Sequence, residues 1–333
     1  MRFPAGATPQ FTRVHNLRLA VDWLRTGGPG SRADFARLTG LSKPTVSAIF
    51  EDLLDKGLVR ADGATVRTGR PPVAFALAPE AAWVLVAEIG PDTCRALLAG
   101  FDGVPLAEVE RPRRRTDDPR QEARRLRELL LRGTGVTVAD LHGGVLAVHG
   151  RDGASGRTAA TGAGQGTVGR ETVAEPIQVR PSQLAAYAEH RHLLNAGREV
   201  EHLAFVDVAD PSGVGLVLHR RPHLAARPGS PRPVPATPAE TLARLVDALV
   251  PLALATGLET VVLGGSGGLD PTGMLRPLRA ELARRLPEPP AVLRSALGDR
   301  AVLLGGTHLA VDLAARTLLH TDSARTRPLR EAS

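Results

Sequence analysis

The stretch from Ser31 to Gly57 carries the punctuation of two short helices in close succession. It constrains the fold more than any other part of this 333-residue chain. Ser31 is placed to cap a helix that turns Phe35 and Leu38 inward. Gly40 follows, a residue free to take a positive φ in a tight turn. Ser42 caps the next helix, with Pro44 in its first turn, where a missing N–H costs nothing. Apolar spacing puts Val46, Ile49, Phe50 and Leu53 on that helix's buried face, and Gly57 ends it. Upstream, Leu17, Ala20, Val21 and Leu24 form one apolar helical face, stopped at Gly27-Gly28-Pro29-Gly30. Downstream, Leu58–Arg60 and Pro72–Leu77 read as two strands joined by a polar, basic loop. Helix, helix, turn, helix and a two-stranded loop is the order of a winged helix-turn-helix. The expectation is such a domain over residues 13–79, behind a flexible tail of residues 1–12.

In a module of this kind the third helix enters the major groove, and its N-terminal residues meet base edges. Here that end is Ser42-Lys43-Pro44-Thr45-Val46-Ser47. Val46 belongs to the core, which leaves Lys43, Thr45 and Ser47 on the outer face as one cation and two hydroxyls. The helix N-terminus adds backbone donors and the positive end of its dipole. The loop Arg67-Thr68-Gly69-Arg70-Pro71-Pro72 offers Arg70 to a narrow minor groove and Arg67 to phosphates. With Arg32 and Ser42 these make the expected DNA-contacting set: Arg32, Ser42, Lys43, Thr45, Ser47, Arg67 and Arg70. A lone hairpin of this composition reads equally as a solvated surface loop; the adjoining turn-helix favours DNA.

Charge agrees. The formal net charge is +7, but Lys43 and Lys56 are the only lysines beside 40 arginines, a bias expected of a GC-rich genome. Position is more informative: residues 1–79 hold 11 basic and 6 acidic side chains, the remainder 31 and 29. The excess sits on the unit expected to meet a polyanion. No apolar run approaches the ~18–20 residues of a membrane span. The opening Met1-Arg2-Phe3-Pro4-Ala5-Gly6 lacks a signal-peptide core, so a cytoplasmic protein without membrane partners is expected. A single cysteine, Cys94, excludes an internal disulfide and a multi-cysteine zinc site.

From residue 80 the pattern is α/β. Strands are expected at Trp83–Gly90, Cys94–Phe101, Pro105–Glu110 and Gly144–Val148, with a helix at Pro119–Arg132 burying Ala123, Leu126, Leu129 and Leu130. A helix at Ser182–Leu194 precedes a hairpin of Leu203–Val208 and Val214–His219. A helix from Thr237 or Pro238 to about Thr256, a strand at Thr260–Gly265, and helices at Pro271–Arg285 and Gly305–Leu319 complete the body. Residues 150–169, 220–238 and the 321–333 tail are expected to be irregular or flexible.

Residues 14–79 resemble the DNA-binding part of the ROK family (repressors, open reading frames, kinases). The stretches that carry this are Ser31-Arg32-Ala33-Asp34-Phe35-Ala36, Thr39 to Ser47, Gly57-Leu58-Val59 and Gly69-Arg70-Pro71. The body also resembles that family's actin-like sugar kinase, at Val86-Ala87-Glu88-Ile89-Gly90, Val261-Val262-Leu263-Gly264-Gly265 and Leu297–Gly306. The resemblance implies a two-lobed, ribonuclease H-like ROK body over residues 80–320, and a homodimer on double-stranded operator DNA.

It also implies that catalysis is lost. The family's phosphate loop needs an acidic residue, glycines and a threonine; here Glu88-Ile89-Gly90-Pro91 puts a proline after the glycine. The family's base is the Asp of an Asn-Asp pair, and alignment puts Arg180-Pro181 there. The zinc-binding histidine and cysteine cluster has no counterpart. His142, His149, His219 and His223 lack a partner at ligand spacing along the sequence, and no metal or other cofactor is expected. Of the sugar-binding segment His149, Gly150 and Asp152 remain, and with Gly264 and Gly265 they are the candidate contacts for a sugar-like effector. The expectation is a transcriptional regulator of the repressor kind, without enzymatic activity. The rival readings are an active ROK sugar kinase carrying a DNA-binding domain, and a DNA-binding protein whose body only dimerises.

Overall fold

The computed structural model of the chain describes residues 9–62, 73–113, 118–149, 176–224, 237–265 and 270–320. They form a mixed α/β fold in two compact units. One comprises residues 1–84, 99–106 and 311–333, the other residues 85–98 and 107–310.

In the first unit, α1 (Pro9–Gly27) begins inside the stretch expected to be a tail. Its face of Leu17, Ala20, Val21 and Leu24 is buried, as the spacing requires. α2 (Arg32–Thr39) and α3 (Lys43–Asp55) follow, then β2 (Val59–Asp62) and β3 (Ala74–Leu77). The two-residue strand β1 (Gly30–Ser31) pairs antiparallel with β3, giving a three-stranded sheet of order β1-β3-β2.

Aromatic side chains are few in this sequence, and four of them stack through the centre of this unit. Ring centroids of Trp23 and Phe35, Phe35 and Phe50, and Phe50 and Phe75 lie 5.2, 5.7 and 4.9 Å apart. Gly30 is fixed by this core: a Cβ there would meet the Trp23 ring at 2.2 Å. Leu38, expected inward with Phe35, is 67% exposed. It stands three residues on from Phe35 in a helix of only eight, and the narrow contact face takes Phe35 alone. Arg25 closes the end of α1 with ion pairs to Asp22 (2.8 Å) and Asp312 (2.7 Å).

The second unit is built on two five-stranded sheets. Strands β4 (Trp83–Ile89), β5 (Thr93–Ala99), β6 (Pro105–Pro112), β7 (Leu141–Val148) and β8 (Ile177–Val179) give the order β6-β5-β4-β7-β8. Helix α4 (Pro119–Leu131) buries Ala123, Leu126 and Leu130, whereas Leu129, expected beside them, is 39% exposed at the rim of that stripe.

After α5 (Pro181–Asn195) come β9 (Leu203–Asp207), β10 (Asp210–Leu218), β11 (Arg221–His223), α6 (Pro238–Thr256), β12 (Thr260–Gly264), α7 (Thr272–Arg285) and β13 (Ala291–Arg294). The second sheet runs β11-β10-β9-β12-β13, with β12 parallel to both β9 and β13. α6 and α7 cover it through Leu245, Val246, Leu249, Leu278 and Leu282. α5 packs on β9 and β10 so closely that a Cβ on Gly215 would lie 1.8 Å from the Ser182 carbonyl oxygen.

The last helix, α8 (Ala301–His320), starts four residues before the expected Gly305. Gly305 and Gly306 therefore lie inside it. A Cβ on Gly305 would meet the Leu184 carbonyl oxygen at 1.9 Å, and one on Gly306 would meet Val86 at 2.4 Å. Gly305 thus lets α8 approach the backbone of α5, and Gly306 leaves room for the Val86 side chain on β4. Residues 298–320 are also long and apolar enough to cross a membrane, contrary to the expectation of no such run. Ala301, Ala310, Val311 and Ala314 are buried in the protein, as in a core helix.

Candidate functional site

Two helix N-termini stand next to each other along the chain, and their chemistry differs. At α2, Ser31 Oγ accepts from the Asp34 N–H (3.2 Å), and its own hydroxyl donates to Asp34 Oδ2 (2.6 Å). These bonds, and Arg37 beside it, hold the Asp34 carboxyl below its ordinary pKa, so this N-terminus carries its own anion. At α3, Ser42 Oγ accepts from the Thr45 N–H (3.3 Å) and shares a hydrogen bond with Thr45 Oγ1 (2.8 Å). No acidic residue occupies the first turn. Lys43 is exposed and makes no ion pair among the described residues. The α3 N-terminus is thus the positive end of a dipole beside an exposed cation; Pro44 carries no N–H, and the Thr45 amide is taken by the Ser42 cap.

The connection holds that end in place. Gly40 closes α2 at φ 70°, and its N–H donates to Ala36 O (2.9 Å). Val46, Ile49, Phe50 and Leu53 bury the opposite face of α3. Ser47 and Thr45 are half-buried on the open side, so Thr45 offers its hydroxyl only by sharing it with the cap. Arg32 is not brought to this end. Its guanidinium lies over the Phe75 ring (5.1 Å) and within 3.8 Å of Glu51, two turns along α3 from Lys43. Arg67 and Arg70 lie outside the described residues, as do Gly150 and Asp152.

In the second unit the residues at the kinase-like positions are engaged with one another. Glu88, buried on β4, holds His149 Nε2 at 2.7 Å through Oε1. His149, expected at an effector, is fixed there, and its N–H donates to Ile89 O (2.9 Å). Gly90 donates to Thr93 O (2.8 Å), so Gly90-Pro91-Asp92 forms a tight turn between β4 and β5. Pro181 opens α5 immediately after β8, and its ring offers no proton acceptor.

Gly264 ends β12 where a Cβ would meet Phe205 Cζ at 2.3 Å, a packing reason for glycine. Gly265 follows it on the second sheet, whereas His149 follows β7 of the first. Glu189, which the sequence reading passed over, is buried on α5. It accepts from Ser295 Oγ (2.5 Å), the Leu297 N–H (3.1 Å) and the Ala296 N–H (3.3 Å), closing the loop after β13. A single glutamate between Ala188 and His190 carries no sequence signal for such a partner.

Several solved structures are similar to this chain. A ROK family transcriptional regulator, described as a homolog of the E. coli MLC protein, matches at a TM-score of 0.62 and 15% identity. The alignment covers 92% of this chain and 98% of that one. The chain therefore has a ROK-like fold. A ROK hexokinase from Thermus thermophilus matches at 0.46 and 21% identity, covering 68% and 97% of the two chains. A ROK family glucokinase from Streptomyces griseus, solved with glucose and AMPPNP, matches at 0.45 and 15%, covering 69% and 100%. The family described as DNA glycosylase AlkZ-like matches residues 3–116. No curated protein sequence matches.

Proposed function

We propose that this protein is a sequence-specific, DNA-binding transcriptional regulator, with residues 13–79 as a winged helix-turn-helix and a ROK-like body that performs no phosphoryl transfer. The observation that carries the reading is the α3 N-terminus, capped by Ser42, free of carboxylates and presenting Lys43 and Ser47 beside a glycine turn. Two comparisons are with proteins described as acting on genes or DNA: the regulator over 92% of this chain, and the DNA glycosylase family over residues 3–116. Only association with DNA is taken from the second, since that match ends before most of the body. The body is taken to dimerise and to present two reading helices to a dyad-symmetric operator. Glu88 held by His149, and Pro181 at the position of the expected base, support a body without kinase chemistry. A sugar or sugar derivative is the effector class expected from the resemblance, and an effector reaching His149 would have to compete with Glu88 for its ring.

The test is a binding titration on the operator selected from a random duplex library, against a scrambled duplex. Lys43→Ala should weaken the selected site by about 1–3 kcal/mol and the scrambled one much less. Equal losses on both, or no enrichment of any sequence, would remove the reading.

A further inference from the structure

The hairpin of the second sheet brings together three ligand-type side chains that lie far apart in sequence. Strand pairing sets Leu203 opposite Val217, and this register carried outward places His202 beside Leu218 and Glu201 opposite His219. The ligand atoms of Glu201, His202 and His219 all lie within 4.8 Å of one another. The two imidazoles meet edge to face with centroids 4.6 Å apart. The His219 N–H approaches His202 Nδ1 at 3.3 Å, so in the neutral ring that nitrogen is unprotonated and faces residue 219.

A second observation singles out His219. Among the described residues, His219 and Arg220 are the two non-glycines with positive φ, at 50° and 62°. A two-residue turn of this kind takes Asn-Gly for preference, because other side chains are strained there. Histidine is among the non-glycine residues that enter this region, and at 219 it stands exposed in the turn. Arg220, the nearest guanidinium, is paired with Glu199 (3.1 Å), and Glu259 accepts from the Glu201 N–H (2.9 Å). The surroundings are therefore balanced in charge rather than cationic.

We propose that Glu201, His202 and His219 form a binding site for a divalent transition-metal ion, with zinc the ion of choice. Two imidazoles and one carboxylate are a ligand set suited to Zn²⁺, leaving an open position for water or an outside ligand. Glu201 and His219 are exposed and His202 is half-buried, which leaves the side chains room to rotate onto an ion at about 2.0–2.2 Å. The bound ion would pin the β10–β11 turn to the start of β9. The proposal is independent of the DNA-binding reading and uses none of its residues.

The full chain, with any purification tag removed and stripped by a chelator, is titrated with zinc chloride by calorimetry and by thermal melting. About one ion per chain should bind saturably, and the melting temperature should rise. His202→Ala and Glu201→Gln should each weaken zinc by about tenfold or more. His219→Gly is the decisive variant, since glycine accepts the positive φ and keeps the turn. It should fold at least as well without zinc, yet lose the zinc-dependent rise in melting temperature. His223→Ala should change neither. No saturable uptake, or uptake unaltered in His202→Ala and His219→Gly, overturns the proposal.

Discussion

His190 is an imidazole with one nitrogen satisfied and the other stranded. It is 1% exposed on α5; Nε2 donates to Val200 O (2.8 Å), and buried Nδ1 has no hydrogen-bond partner among the described residues. Burial is the main cause holding its pKa below the ordinary value; the bond to Val200 opposes it, and Arg191 and Arg220 reinforce the lowering. The folded state therefore prefers the neutral ring. Its contribution to stability is complete above the unfolded pKa of about 6.5 and is lost as pH falls below that toward the folded value. Urea midpoints should drop between pH 7 and pH 5, and His190→Gln, which keeps a donor for Val200, should flatten that drop. An unchanged slope would place the titration elsewhere. Phe35 belongs to the same scale. Fully buried between Trp23 and Phe50, its replacement by Ala should cost about 3–5 kcal/mol in chemical unfolding. Leu38→Ala, at an exposed position, should cost less than about 0.5 kcal/mol.

At the scale of elements, glycines and caps decide where helices lie. Gly305 sits in the second turn of α8, where alanine is normally the better residue, but its Cβ would collide with a backbone oxygen of α5. Gly305→Ala should therefore destabilise by roughly 1–3 kcal/mol or more. Gly273, exposed in the first turn of α7 with open space around it, is the control; Gly273→Ala should be neutral or stabilising by up to about 1 kcal/mol. Urea unfolding of the pair separates packing from propensity, and equal effects would deny the close approach. Ser42→Ala should cost about 0.5–2 kcal/mol through the lost α3 cap. Because the cap also steadies Thr45, its loss should weaken operator binding beyond the stability effect.

At the scale of the whole molecule, the prediction is an absence of turnover. A coupled assay with ATP and a broad sugar panel should give no rate above that of a variant lacking Glu88. A saturable rate abolished by Glu88→Ala would restore the kinase reading. Two half-sites related by a dyad should be needed for tight DNA binding, and a single half-site should bind far more weakly at the same salt concentration.

Helix caps, glycine turns and apolar periodicity are local properties, and they made the α2–turn–α3 unit and its buried face of Val46, Ile49, Phe50 and Leu53 legible from sequence. The same local signals marked most body elements. They did not reveal β8, β11 or β13, short strands whose existence depends on neighbours far along the chain. Nor could they tell that Leu38 and Leu129 fall outside the buried stripe, since periodicity gives a helix face without its width. Pairings across long sequence intervals were decided by the tertiary structure alone. Arg32 was drawn to Glu51 and Phe75, His149 to Glu88 and Glu189 to Ser295, each because a side chain buried or half-buried by packing takes the nearest partner that satisfies it. His202 and His219 are 17 residues apart in sequence, and only the register of β9 on β10 makes them neighbours.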